Sequence, residues 1–142
     1  MAVKRGLTVN VKGVREVARK LRITEERLVQ ESRRALYAEG RDLMNESVLE
    51  VPTKTGALAA SRYVSPPTVT KEGDIKVVLG YGTYRVLNPR NNQPTAEYAH
   101  IVHEDLEAYH ETGKAKFLED PMNRRAGSFE SRVANRIAKV LK

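Results

Sequence analysis

Residues 24–50, TEERLVQESRRALYAEGRDLMNESVLE, decide the fold because they predict the longest helix of the chain. The Thr24 hydroxyl can accept a free backbone N–H, and the two glutamates after it complement the positive end of a helix dipole. Pro52 disfavours helical geometry in Val51, so the helix should end near residue 49 or 50. One face carries apolar or small residues, and one glutamate, at three- and four-residue steps: Leu28, Ser32, Ala35, Leu36, Glu39, Leu43, Met44 and Ser47.

Downstream of this helix the pattern changes, and it predicts a small, mainly antiparallel sheet over about residues 62–103. Ile75–Tyr81, IKVVLGY, is the clearest strand, and a Glu-Gly-Asp turn joins it to an edge strand that a prolyl pair bends. Residues 98–103 are a further strand candidate. Residues 83–97 between them form a long polar loop, and loops of this kind are often functional.

Shorter elements lie on either side of this region. Leu7–Val11 alternates apolar and polar residues, which predicts a first strand, and Val14–Leu21 predicts a short helix with a basic polar face. Ala57–Ala60 should form one or two helical turns, and a C-terminal helix should cover about residues 119–141. The predicted fold is α+β, with the long and the C-terminal helix packed on the sheet.

Length and composition are those of one domain spanning residues 1–142, with hydrophobic residues at 40% and charged residues at 30%. The absence of cysteine excludes disulfides, thiol catalysis and zinc–thiolate sites. No apolar run approaches the roughly 18 residues that a membrane span requires, so we expect no membrane partner.

The net charge of +7 is unevenly distributed along the chain. Residues 1–22 are basic, residues 97–111 contain acids and no lysine or arginine, and residues 114–142 are basic again. Separated patches of opposite sign suit a protein that docks onto copies of itself, whereas a basic total alone would suggest nucleic acid. The charged residues that become interface candidates are Arg15, Arg19, Lys20, Arg22, Glu97, Glu104, Asp105, Glu107, Glu111, Arg132, Arg136 and Lys139.

His100, His103 and His110, with the glutamates around them, form the only cluster with the chemistry of a metal or acid–base site. If residues 98–103 are a strand, His100 and His103 point to opposite faces and do not converge. The chain has no G-x-S-x-G elbow and no phosphate-binding glycine-rich loop. We therefore expect no metal, no cofactor and no enzymatic activity.

Direct nucleic-acid binding is the alternative that the basic helices leave open, because lysines and arginines at helical spacing can contact phosphates. The chain shows no known DNA- or RNA-binding module, and its few aromatic residues limit base stacking. A solvated basic face is the commoner explanation of such helices.

Three stretches, in order, resemble the head-tail connector or tail-completion (neck) proteins of long-tailed bacteriophages. The first landmark is Val51–Ser61 (VPTKTGALAAS), the second is Tyr98–Glu104 (YAHIVHE) and the third is Gly113–Pro121 (GKAKFLEDP). The acidic stretch between the second and third landmarks departs from the shorter turn expected there. The resemblance rests on Pro52, Thr55, Gly56, Leu58, Ser61, Tyr98, Ala99, His103, Glu104, Gly113, Phe117, Leu118 and Pro121.

This resemblance implies a structural virion protein that is made in the bacterial host cytoplasm and located in the phage neck. Its subunits would form a ring that joins the DNA-filled head to the tail, with DNA passing through the lumen unread. Its partners would be further copies of itself, portal, adaptor or head-closure proteins, and tail tube or terminator proteins. A tail-terminator ring protein is the nearest alternative. We expect the acidic segment 97–111 to meet a basic surface on a neighbouring subunit or on the portal side of the neck. That surface is formed either by Arg15, Arg19, Lys20 and Arg22 or by Arg132, Arg136 and Lys139. We expect the loop 83–97 to become ordered only in the assembly.

Overall fold

The computed structural model describes residues 2–9 and 14–141 of the chain. Its elements confirm the predicted α+β fold. Within these residues, no helix combines the length and the apolar character needed to cross a membrane. The elements are β1 (Val3–Val9), α1 (Val14–Leu21), α2 (Glu25–Val48), α3 (Ala57–Ala60), β2 (Tyr63–Val64), β3 (Thr68–Val69), β4 (Ile75–Tyr81), α4 (Thr95–Glu104), α5 (Glu119–Ala126) and α6 (Phe129–Val140).

The strand β4 is the centre of an antiparallel four-stranded sheet. It pairs with β1 along its whole length, from Ile75 opposite Val9 to Tyr81 opposite Val3. The short strands β2 and β3 also pair with it, and the prolyl pair lies between them, where no ladder hydrogen bond is needed. Alternate residues of β4 are fully buried, which gives the sheet one core face: Ile75, Val77, Leu79 and Tyr81.

Helix α2 packs on this core face. Thr24 caps it, because its hydroxyl oxygen accepts the backbone N–H of Arg27 at 3.0 Å. All eight residues of the predicted face are buried, as the helical spacing requires. Gly40 lies where helix and sheet are closest, since a Cβ there would be 3.1 Å from the Val77 side chain.

The predicted strand at residues 98–103 is wrong, because this stretch belongs to helix α4. Thr95, Ala99 and His103 recur at four-residue spacing and are all buried, whereas Ile101 is 61% exposed. Short apolar runs do not distinguish a strand from a buried helix. The sheet region therefore ends at Tyr81 instead of continuing to residue 103.

The predicted C-terminal helix is two helices, α5 and α6, separated by Gly127 and Ser128. Gly127, a residue type that commonly follows the end of a helix, lies at this break and was not used as a stop signal. The first strand also differs from its prediction: it begins at Val3, and residue 11 lies outside the described residues.

The polar loop between β4 and α4 has its own hydrogen bonds in the single chain. The Asn88 N–H donates to the Gln93 carbonyl at 2.8 Å. Thr83 and Thr95 bind each other reciprocally through backbone and side chain at 2.9 Å. The loop 83–97 therefore makes internal contacts of its own, and its becoming ordered only in the assembly stays a prediction.

Candidate functional site

The first landmark is the turn that carries the chain from α2 through α3 into β2. Gly56 precedes α3 with a left-handed φ of 74°, a conformation that glycine adopts without strain. The Ser61 hydroxyl donates to the Leu58 carbonyl at 2.6 Å and accepts the backbone N–H of Gly82 at 2.9 Å. The serine that closes this landmark therefore ties the turn to the end of β4.

The third landmark begins directly against the first. Gly113 has a φ of 76°, and a Cβ at this position would lie 2.6 Å from the backbone nitrogen of Pro52. The next residue, Lys114, donates its backbone N–H to the Glu50 carbonyl at 2.9 Å. Glycine is required here because both the backbone angle and the close approach exclude a side chain.

Phe117 of the third landmark lies at the centre of the core. Its ring makes edge contacts with Tyr81 and His103, with centroid distances of 5.0 and 4.9 Å. The Ser47 hydroxyl donates to the Phe117 carbonyl at 2.6 Å, so the Tyr81 hydroxyl is the donor in its 2.8 Å bond to Ser47. Burial raises the pKa of Tyr81 to about 12, which keeps this donor protonated.

His103 joins the second landmark to the third. Its Nε2 accepts the backbone N–H of Glu119 at 3.3 Å, which assigns the ring proton to Nδ1. Nδ1 then donates to Glu104 at 2.7 Å. Burial lowers the pKa of His103 despite the adjacent Glu104 carboxylate, so the ring is neutral at pH 7.

Glu104 and Glu119 form an ion-pair cluster with two basic residues. Lys116 bonds to Glu104 and lies 3.2 Å from Glu119, while Arg5 of β1 lies 3.2 Å from Glu119 and 3.9 Å from Glu104. Hydrogen bonds from Lys116 and His103 lower the pKa of Glu104 to about 2. Glu104, one of the interface candidates, therefore forms its ion pairs within its own subunit.

One group in the described part of the chain has metal-ligand geometry. His103, Glu104 and Glu119 each offer an atom within 4.8 Å of the others. Those atoms already bind Lys116, Arg5 or the backbone, so a cation would have to displace two basic side chains. The arrangement therefore fits an internal ion-pair cluster better than a metal centre. His100 is exposed and His110 lies in the loop after α4, so neither belongs to this cluster. Residues 98–103 are helical, so His100 and His103 are not on opposite faces of a strand as predicted.

A groove of about 320 Å³ lies between the first two landmarks and the polar loop. Its apolar lining includes Pro52, Leu58 and Val102. The Tyr98 hydroxyl and His110 Nε2 in its lining are buried and have no hydrogen-bond partner within the described residues. Such a groove can accept an inserted apolar group that ends in a hydrogen-bonding atom.

Glu39 is the centre of a second charged cluster, where α2 meets α5 and α6. It is 1% exposed and accepts hydrogen bonds from Arg125, Arg132 and Arg136 at 3.2, 2.9 and 3.0 Å. Burial alone would raise the pKa of Glu39, but the three arginines outweigh it and hold the pKa below its ordinary value. Arg132 and Arg136 are interface candidates that instead neutralise a carboxylate of their own subunit.

The acidic interface candidates other than Glu104 define what we call the acidic surface. Its apolar members, on the outer side of α4 and on the loop after it, are 61%, 72% and 90% exposed in the order Ile101, Leu106, Tyr109. None of its acids forms an ion pair with another described residue. These acids are Glu97, Asp105, Glu107 and Glu111.

The remaining bases near the N-terminus define the basic surface, which is the exposed part of α1 and Arg22. Ala18 faces the body of the subunit and is buried, whereas Val17 and Leu21 are 42% and 47% exposed. Arg15 and Lys20 make only exposed ion pairs, with Glu25 and Glu16. The four bases of this surface are Arg15, Arg19, Lys20 and Arg22. The last basic candidate, Lys139, is exposed on α6.

Several residues that organise the site were not singled out from the sequence: Arg5, Ser47, Tyr81, Lys116 and Glu119. Only one of the internal ion pairs, that of Glu39, could have been inferred from the sequence. Glu39 stands on an otherwise apolar or small face of the predicted helix, and a buried carboxylate requires cationic partners. Arg132 and Arg136, one helical turn apart, fit that requirement.

The three landmarks converge on one core around Phe117, and the acidic and basic surfaces remain exposed outside it. The chain matches no protein-family model, no curated protein and no solved structure.

Proposed function

We propose that the protein is a structural subunit of the neck of a tailed bacteriophage, where it forms a ring that joins the DNA-filled head to the tail. It would be made in the cytoplasm of the bacterial host and reside in the virion. Its role is assembly, with no catalytic step.

The observation that carries this proposal is the convergence of the three landmarks. They are separated along the chain, yet Leu58, Tyr98 and Phe117 belong to one core cluster. Gly113 adds a backbone contact between the third landmark and the first. Three stretches that resemble the neck family in their residues and their order therefore also form one packed unit, which supports the proposal.

The distribution of polar groups supports an assembly role. The buried polar clusters around His103 and Glu39 are satisfied by ion pairs and hydrogen bonds within the subunit. Exposed apolar side chains such as Leu106 and Tyr109 are instead available to a protein partner.

Native mass spectrometry tests the proposal directly. The purified protein would be measured at low and moderate salt, alone and mixed with the portal, head-closure and tail proteins encoded beside it. We expect discrete ring-sized oligomers or capture by a portal complex. Capture by an isolated tail tube without any head component would favour the tail-terminator alternative.

The opposite result is equally specific. A monomer that ignores every neck and tail component and binds DNA, with affinity falling steeply as salt rises, would overturn the proposal. The basic surface would then be a phosphate-binding surface.

A further inference from the structure

The acidic and basic surfaces lie at opposite ends of the longest helix. The basic surface adjoins the beginning of α2, because Arg15 lies 3.2 Å from Glu25, its first residue. The acidic surface adjoins its end, because the loop that carries it returns at Thr112, whose hydroxyl is 2.7 Å from that of Thr53. A helix of 24 residues is about 36 Å long, so the two surfaces do not meet within one chain.

The two surfaces are complementary in more than charge. Each has exposed apolar side chains among charges of one sign: Val17 and Leu21 among bases, and Leu106 and Tyr109 among acids. Apolar contact at the centre with opposite charges around it is the usual composition of a protein interface. Arg132 and Arg136 are excluded as the matching bases, because Glu39 already binds them.

We propose that the basic surface of one subunit docks on the acidic surface of the next subunit. The occupant of each surface is thus a second copy of this chain, and the contact is heterologous. Unlike surfaces at opposite ends of a subunit generate a closed ring when the rotation between subunits closes. This inference rests on the proposed function and names the contact by which the ring forms.

A charge-swap pair of variants tests the contact. The acid variant carries Glu107→Lys and Glu111→Lys, and the base variant carries Arg19→Glu and Arg22→Glu. Each variant alone places like charges at the substituted positions of every contact, so we expect its self-association to fall at least tenfold relative to the unchanged protein. Mixed together, the two variants restore opposite charges at both kinds of contact.

The mixture therefore has a distinctive expected product. Native mass spectrometry should find alternating assemblies with equal numbers of the two variants, and closed rings only with an even number of subunits. A matched control carries Arg41→Glu and Arg85→Glu, which change the net charge as the base variant does but at exposed sites outside both surfaces. The control should associate like the unchanged protein.

Cysteine trapping detects the contact even if it is weak in solution. The chain has no cysteine, so Leu21→Cys and Leu106→Cys introduce the only two thiols. A disulfide needs Cα atoms within about 7 Å, so the two positions do not bridge within one chain. Mild oxidation should give a ladder of disulfide-linked oligomers, whereas either single variant gives at most a dimer, and Leu21→Cys with Tyr84→Cys gives no ladder.

The failures of the two proposals are distinguishable. If the unchanged protein forms rings or joins a portal complex, but the charge variants behave like the control and no ladder forms, the head-to-tail contact is wrong and the neck function remains. If the unchanged protein neither self-associates nor joins neck components, and the Leu21→Cys, Leu106→Cys variant forms no ladder, both proposals are overturned.

Discussion

The cluster around Glu39 and the acidic surface contain the same type of side chain in opposite situations. Glu39 is buried and bound by three arginines, whereas Glu107 and Glu111 are exposed and have no ion-pair partner within the described residues. The first arrangement contributes to folding, and the second is available for association. The comparison teaches that net charge along a sequence does not separate charges used inside a subunit from charges offered to a partner.

The largest expected effect comes from breaking the buried side of this comparison. Glu39→Gln removes the buried anion that Arg125, Arg132 and Arg136 share, although Arg125 keeps Glu46 and Arg136 keeps Asp42. Removing one partner of a buried ion pair costs about 3–5 kcal/mol. The arginine side chains are 23–36% exposed and keep contact with water, so we expect a loss near the low end, about 3 kcal/mol. Urea denaturation measures it.

Asp42→Asn is the matched control for this change. Asp42 also pairs with Arg136 but is about half exposed, so its loss should change the free energy of unfolding by no more than about 0.5 kcal/mol. Equal losses for the two variants would show that burial of Glu39 carries no special weight.

The next effect concerns the anchor of the acidic loop. Gly113→Ala places a Cβ against the backbone of Pro52 and forces alanine into a left-handed conformation. We expect a loss of about 2 kcal/mol, from left-handed strain and the close contact. Gly127→Ala is the control, because nothing lies within 4 Å of its Cβ and its φ of -65° is helical. A stability for Gly113→Ala equal to the control would contradict this packing.

Acid should destabilise the protein through Glu39. An unfolded glutamate binds its proton near pH 4.5, while the folded pKa of Glu39 is lower, so protonation favours unfolding. The contribution is complete above pH 4.5 and is lost as pH falls through the folded pKa. Stability measured from pH 6 to pH 2 should fall less steeply in Glu39→Gln than in the unchanged protein.

The smallest effect is expected on the exposed side. Glu107→Lys together with Glu111→Lys should change the free energy of unfolding by less than about 0.5 kcal/mol, because neither side chain forms an ion pair with another described residue. Thermal and urea denaturation check this. A larger loss would mean that these acids stabilise the subunit itself, and the acidic surface would no longer be free for a partner.

The sequence predicted those elements whose local signals agree with their packing. The cap at Thr24, the buried spacing of α2 and the Glu-Gly-Asp turn before β4 each point to one structure, and all three are confirmed. The strand predicted at residues 98–103 is wrong because the spacing of a short apolar run does not distinguish a strand from a helix. Which of its residues are buried depends on the sheet that it covers.

The charges were predictable in position but not in use. Arg132, Arg136 and Glu104 looked like interface residues because their partners, such as Glu39 and Lys116, are distant in sequence or on another element. Only the fold brings these residues together. In the part of the chain that the structure describes, the acids of residues 105–111 form no ion pair, and their assignment to an interface stays a prediction.

Electron microscopy of the assembled protein shows whether its subunits form a closed ring through unlike surfaces. We expect closed rings with a central channel, in which α1 of each subunit contacts the loop after α4 of the next. Two-fold dimers that pair like surfaces, open filaments without closure, or particles no larger than one subunit in the presence of neck components would contradict it.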